Sequence, residues 1–471
     1  MKYTFLLLAL VTFLSTSVRA QNSLPVTQTL DRADVVSDLN RTVAALEKFH
    51  CNAYRYATRA EIAALRDDLT AALPASPTRM DAYRALSQLT CAFGDGHTRV
   101  WDRTLEKNYR TAGGTYLPLQ VNVGPDELTV RADLRGGSDN LAGRQITAIN
   151  GVPADRLIRD LSVHASRETA ALDRTQLSAN FRRYLWLTYD WAQGDFTVDF
   201  ANGQRQIIAG MTAAAIAANR PAREKTPVVT TEILTNDVAY LRVTNFEGRP
   251  ATFKKRFQEA FAEINASGAS HLVLDLRGHG GGDSRVGTEL ARYFAGEPFR
   301  PFAYSEWKAT PELKNNFKNA YLPGGLHWAL PLLKGVNPNT KAIYSAADGA
   351  NARVDYPLTK PYGPRRTFAG KVTLLMDQNT FSAGTCFAAM FKDYQMGTIV
   401  GQESGNLASF HADGLLRMGL MDDHLQLQIS TSYLVRPSGD ETPAPVQPDV
   451  RLEPGTDALE YVLRGSGLAR R

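Results

Sequence analysis

Cysteine is scarce in this chain: Cys51, Cys91 and Cys386 are the only three in 471 residues. So few and so scattered, they make neither a disulfide scaffold nor a zinc cluster, and no metal or cofactor is expected. Dense cationic blocks are missing too. A net charge of +5 is small for this length, which excludes the electrostatic footprint of a nucleic-acid binder. Beyond the first twenty residues no apolar run approaches the roughly 20 residues that a spanning helix needs. Several chemical signatures are also absent: GxxxxGK[ST], the dinucleotide GxGxxG, the GxSxG nucleophile elbow and the KTG box that would give meaning to Ser305-Glu306-Trp307-Lys308.

What is present begins with a leader. Lys2, an apolar run from Phe5 to Leu14 and the small-residue pattern Val18-Arg19-Ala20 read as a signal peptide over 1–20, with a mature start near Gln21. Thr12, Ser15, Thr16 and Ser17 interrupt the run too early for a membrane span, and no cysteine follows for a lipid anchor. The expectation is an exported protein, periplasmic or extracellular, with no membrane anchor after cleavage. In that compartment Cys51 and Cys91, each ending a helical pattern, are the pair that could be joined.

Residues 31–96 carry helical spacing, as at Val36, Leu39, Val43 and Leu46. Thr58 with Glu61, and Thr78 with Asp81, form capping boxes. From Tyr116 to Phe200 short alternating strands are expected, with Asn150-Gly151 as a turn. Residues 201–232 read as a connector. From Val238 strands and helices alternate as in an α/β core: Phe253, Phe257 and Phe261 lie on one helix face, His271–Leu276 and Lys371–Met376 are apolar strands, and helices follow at Ser284 and Ser382. The segment of about 75 residues before Lys371 reads as functional loops.

Three segments could carry chemistry. Asp275-Leu276-Arg277-Gly278-His279-Gly280-Gly281-Gly282 is a strand end running into a glycine turn, whose N–H groups can approach a ligand closely. As a plain turn it would need no function. Asn379-Thr380-Phe381-Ser382-Ala383-Gly384 is a second strand-to-helix junction, where Ser382 is either an ordinary N-cap or a nucleophile facing the positive end of a helix. Asp95-Gly96-His97-Thr98 offers a histidine, which alone is more often structural but is the usual base for a serine.

LVLDLRGHGGG, TLLMDQNTFSAGTCFAAMF, GDGHTRV and the late VQPDV, in this order, resemble the C-terminal processing and tricorn-like serine peptidase family. The resemblance implies a crotonase-like α/β catalytic core over 231–465, preceded by a small helical domain over 21–105 and a PDZ-like β-rich domain with its connector over 106–230. It implies hydrolysis of peptide or protein substrates through an acyl-enzyme on Ser382, with an oxyanion hole from Gly281 and Ala383 and with Gly282 as neighbouring candidate. One branch of the family takes its base from a lysine after the nucleophile. Here the only such lysine is Lys392, ten residues along the same helix and so about 15 Å away. The tricorn-like branch uses an upstream histidine, matched by His97.

Two departures accompany the match. A hydroxyl residue expected before the histidine is Gly96. The late acid is displaced by one position onto Glu441, with Asp440 and Glu403 as alternatives for the third member of the triad. The competing readings are an α/β-hydrolase esterase, suggested by the HGGG run but lacking its elbow, and a non-catalytic binding module on the same fold.

Overall fold

The computed structural model describes residues 27–465, apart from 103, 138, 222–225, 236, 322–337, 413–415 and 422–423. Residues 1–20, read above as a signal peptide, lie outside the described residues.

Helices Arg32–Phe49, Arg59–Ala72 and Arg79–Cys91 form the N-terminal layer. Both expected capping boxes close: the Thr58 hydroxyl accepts from the Glu61 N–H and the Glu61 carboxylate accepts from the Thr58 N–H, with the same exchange between Thr78 and Asp81. Their apolar faces bury Leu39, Leu46, Leu86 and Leu89 in a core that continues into Leu425, Leu427 and Ile429 of a late strand. That late strand, Leu425–Ile429, pairs antiparallel with Arg99–Asp102, so the chain directly after His97 is stitched to the C-terminal third of the molecule.

Between these lies a β-rich region whose sheet contains Leu119–Val123, Leu128–Asp133, Gln145–Ile149, Asp195–Phe200 and Arg205–Ala209. The expectation of strands alone from Tyr116 to Phe200 fails here. Helices Ala154–Ser162 and Ala170–Thr188 interrupt them, burying Leu157, Leu161, Leu177, Phe181 and Leu185 against the sheet. The segment read as a connector likewise holds a sheet strand, Arg205–Ala209, and a short helix, Ala213–Ala218.

The α/β core is a six-stranded sheet in the order Val229–Thr235, Val238–Val243, His271–Asp275, Lys371–Met376, Thr398–Gly401, Val450–Arg451. The first pair is antiparallel and the rest parallel, as helical crossovers require. Helix Pro250–Ser267 makes one crossover and ends at Gly268 in the left-handed region; Phe253, Phe257 and Phe261 all point into the core. The segment before Lys371 is more than loops: Tyr304–Lys308 and Asn351–Asp355 pair with each other, and the first also pairs with Ser432–Val435, in a second sheet of four strands.

The three cysteines are free thiols, and Cys51 and Cys91 are not joined. Each is buried in its own surroundings: the Cys51 S–H donates to the Glu306 carbonyl and the Cys91 S–H to that of His164. Burial pushes both thiols up to about 12, which keeps them protonated and inert. Unfolded without reductant, the protein should therefore titrate three thiols per chain with Ellman's reagent, and folded protein should leave Cys51 and Cys91 unreacted. A disulfide-linked Cys51–Cys91 peptide in the non-reduced digest would contradict this packing.

Candidate active site

The parallel ladder sets Asp275 beside Leu375, so the two loops that leave these strands emerge side by side at the carboxyl edge of the sheet. They are bonded to each other. The Gly278 N–H donates to the Asp377 carboxylate at 2.9 Å, the Thr380 hydroxyl to the Leu276 carbonyl at 2.9 Å, and the Phe381 N–H to the His279 carbonyl at 2.9 Å. Gly281, at φ +109°, packs directly on the second loop: a Cβ there would stand 2.7 Å from the Ser382 Cβ. Only glycine permits that backbone and that approach.

Ser382 precedes helix Ala383–Asp393 but does not cap it; its side chain makes no capping bond, and its backbone stands at φ 54°, ψ −121°. This is a costly conformation for a residue with a Cβ. Its N–H is held by the Asn406 side-chain oxygen at 2.5 Å. The hydroxyl, left free of the helix, meets His97: Nε2 to Oγ is 3.2 Å.

The imidazole is held in place by neighbours on several elements. Phe381 stacks on it at 4.8 Å and Phe410 at 5.6 Å, with interplanar angles of 19° and 12°. The backbone of His97 is fixed as well: its main-chain N–H donates to the Asp95 carboxylate at 2.8 Å, and its carbonyl accepts from Gln428 at 2.8 Å. Nδ1 is buried with no hydrogen-bond partner among the described residues. Burial lowers the His97 pKa below the ordinary imidazole value, the Arg99 charge adds to this, and the Asp95 carboxylate and the His411 backbone oppose it. Asp95 itself is bonded to His50 Nε2 at 3.2 Å; burial would raise its carboxyl, but His50, His411 and His97 outweigh that and hold it below the usual range.

Next to Ser382 opens a cleft of about 620 Å³ that reaches Ala383, Gly282 and Cys386 and is walled by Phe302, Trp307, Phe317, Tyr356, Phe410 and Leu434.

A serine without a cap bond, a histidine on its hydroxyl and an adjoining glycine turn make an acyl-transfer constellation. Residues 237–452 match the model of peptidase family S41. Over that stretch the chain carries the family's pattern, and it is a serine-type peptidase. The peptidase is also similar in fold to solved structures. Mature CPAF is 15% identical, with 89% of this chain and 93% of that one covered and a TM-score of 0.62. CPAF complexed with lactacystin is 14% identical, with 89% and 94% covered and a TM-score of 0.61. No curated protein matches the chain.

Among the residues expected from sequence, Ser382, His97, Ala383 and the glycine turn meet in one place. Lys392 does not come near; its ammonium pairs with Asp449 at the far end of the helix. Glu441 stands elsewhere as well. Its carboxylate accepts from the Tyr304 hydroxyl and lies 3.0 Å from Arg55, so those two groups, not His97, satisfy its charge. Asp440 caps a turn at Thr442, and Glu403 pairs with Arg451. Gly281 is in place, but its N–H donates to His279 Nδ1 at 3.2 Å, while Gly282 lines the cleft. Asn406, Phe381 and Phe410 escaped sequence reasoning, because an Asn after a glycine reads as a turn and single aromatics read as core.

The lowered pKa of His97 has a definite sign for activity. A base must be neutral to take the serine proton, and a histidine whose pKa is below 6.5 is already neutral there. The acid limb of kcat/KM on a peptide substrate should thus have its midpoint below pH 6.5. A midpoint well above 7 would identify a different base.

Proposed function

We propose that the peptidase is exported and cleaves its substrates through an acyl-enzyme on Ser382, with His97 as general base. The observation that carries this reading is the 3.2 Å contact between His97 Nε2 and a Ser382 hydroxyl that caps nothing. His97 takes the hydroxyl proton as Oγ attacks the scissile carbonyl, then returns it to the leaving amine; water repeats the cycle to release the acyl group. Ala383 is the first residue of its helix, so its N–H has no intrahelical acceptor and is available to an oxyanion beside Ser382. The second donor comes from the glycine turn. Gly281 can serve once its long bond to His279 is released, and Gly282 already faces the cleft.

The aromatic walls of the cleft suit an apolar side chain of the peptide next to the scissile bond. In this reading the parallel sheet with its two bonded loops is a crotonase-like core over 231–465, the sheet within 106–230 is a PDZ-like domain and 21–105 is a helical domain. The leader over 1–20 directs the chain out of the cytoplasm as a tail-specific type of protease, periplasmic or extracellular.

A serine-directed phosphonate should label the native protein at Ser382 alone, a result that a binding module on this fold cannot give. Ser382→Ala and His97→Ala should each lower kcat by roughly four to six orders of magnitude, because members of one catalytic unit fail together. Lys392→Ala should be close to silent; a large loss there with full activity in His97→Ala would reverse the assignment. Export has its own readout: N-terminal sequencing of the protein recovered outside the cytoplasm should begin at Gln21, and an intact Met1 in that fraction would remove the leader from the reading.

A further inference from the structure

We propose that Glu168, from the β-rich region, is the positioning residue of this active site, a carboxylate that ties the base loop to the nucleophile loop and stands in for the side chain that Gly96 lacks. The proposal rests on the assignment of Ser382 and His97 above.

Glu168 lies just ahead of helix Ala170–Thr188, far in sequence from both loops. One carboxylate oxygen accepts from the Gly96 N–H at 2.7 Å, the peptide that leads into His97. The other accepts from the Leu407 N–H at 3.0 Å. The Asn406 amide nitrogen donates to both oxygens, each at 3.0 Å. The same Asn406 side chain turns its oxygen to the Ser382 N–H. An unbroken chain of hydrogen bonds therefore runs from Gly96 through Glu168 and Asn406 to Ser382. Its polarity is forced: Ser382 presents a donor and Glu168 presents acceptors, so the fully buried Asn406 amide has one allowed orientation. Next to it the Thr169 hydroxyl donates to the Gly405 carbonyl at 2.6 Å, a second tie between the same segments.

Gly96 is the counterpart of this arrangement. A Cβ at position 96 would lie 2.3 Å from Glu168 Oε2 and 3.0 Å from Leu172 Cδ2. A side chain before the histidine would push the Glu168 carboxylate out of its present hydrogen-bonded position. The hydroxyl residue that the family resemblance leads one to expect at 96 is thus replaced, in this chain, by a glycine and an acid from another region. Glu441, bound to Tyr304 and Arg55, is released from the task.

The carboxylates of Asp95 and Glu168 and a ring nitrogen of His97 lie within 4.8 Å of one another. Cation binding is disfavoured as the purpose of this cluster, because the oxygens are already taken by donors: Glu168 by three residues, Asp95 by His50, Thr98 and the His97 N–H. The residue as a whole is half-buried while its carboxyl is enclosed by these groups. Burial, with the Asp95 charge added, pushes its pKa upward, while the Asn406, Leu407 and Gly96 donors pull the other way and favour the acceptor-only carboxylate.

The test uses the full-length mature enzyme. Glu168→Gln keeps the shape but puts an amide N–H₂ where only acceptors fit; displacement of the catalytic pair by such a conflict should lower kcat roughly 10²-fold, as a misplacement of about 1 Å does. KM should stay within about threefold, since no substrate contact is lost. Gly96→Ala should cause a similar loss by pushing Glu168 out, yet add little once Glu168→Ala is already present, because the two changes strike one contact. Melting curves and the rate of phosphonate labelling on the soluble fraction separate misplacement from unfolding. Wild-type kcat in folded Glu168→Gln, or losses from Gly96→Ala and Glu168→Ala that simply multiply, would overturn the proposal. So would a kcat loss in Glu441→Gln with none in Glu168→Gln. Failure of the wild type to react with the phosphonate would instead overturn the underlying Ser382 and His97 assignment, and is read separately.

Discussion

The pairing of strand His271–Asp275 with Lys371–Met376 is the constraint on which the rest of the site depends. Parallel neighbours end at the same edge, so a glycine turn and a serine-bearing turn some hundred residues apart in sequence become adjacent without either needing to bend toward the other. The cross-bonds between the loops then convert adjacency into register. Phe381 reports this most directly, since its N–H is tied to the glycine loop while its ring covers the histidine. One residue links the sheet, Ser382 and His97.

His97 arrives by a different route. It belongs to neither strand but to the end of the N-terminal helical layer, and the antiparallel pairing of Arg99–Asp102 with Leu425–Ile429 brings it over the sheet edge. The contact between His97 and Ser382 is therefore assembled from the two ends of the chain. Nothing local to either residue could produce the contact; it exists only when the late strands have closed on the early helices. The Asp95 and Gln428 ties then fix its backbone, and stacking between Phe381 and Phe410 orients the ring toward Ser382.

Much of this was legible from residue order. Capping boxes at Thr58 and Thr78, the phenylalanine stripe and the two strand-to-helix junctions are local patterns, and local patterns survive folding. The role of Lys392 could be judged from helix geometry alone. What could not be read was set by tertiary contacts. Helix Ala170–Thr188 carries a mixed face that only the sheet makes sense of, and strands Tyr304–Lys308 and Asn351–Asp355 sit in a segment whose prolines and aromatics suggested loops. Glu441 shows the limit of transfer by resemblance: spacing placed an acid near the right position, while Tyr304 and Arg55 claimed its carboxylate. Cys51 and Cys91 both end helical patterns in one segment, yet those patterns end in separate pockets.

The backbone of Ser382 has a consequence for how such a protein can change over time. A side-chain-bearing residue at φ 54°, ψ −121° sits in a region where glycine is at ease, and the difference is of order 1–3 kcal/mol. Set against a total folding stability of about 5–15 kcal/mol, that is a standing incentive for the chain to lose the serine hydroxyl. A lineage released from the need to cut peptides would gain robustness with the single step Ser382→Gly, and would keep the cleft, the glycine turn and the histidine as an intact, inert scaffold. A serine at this position therefore runs against what the fold by itself would prefer.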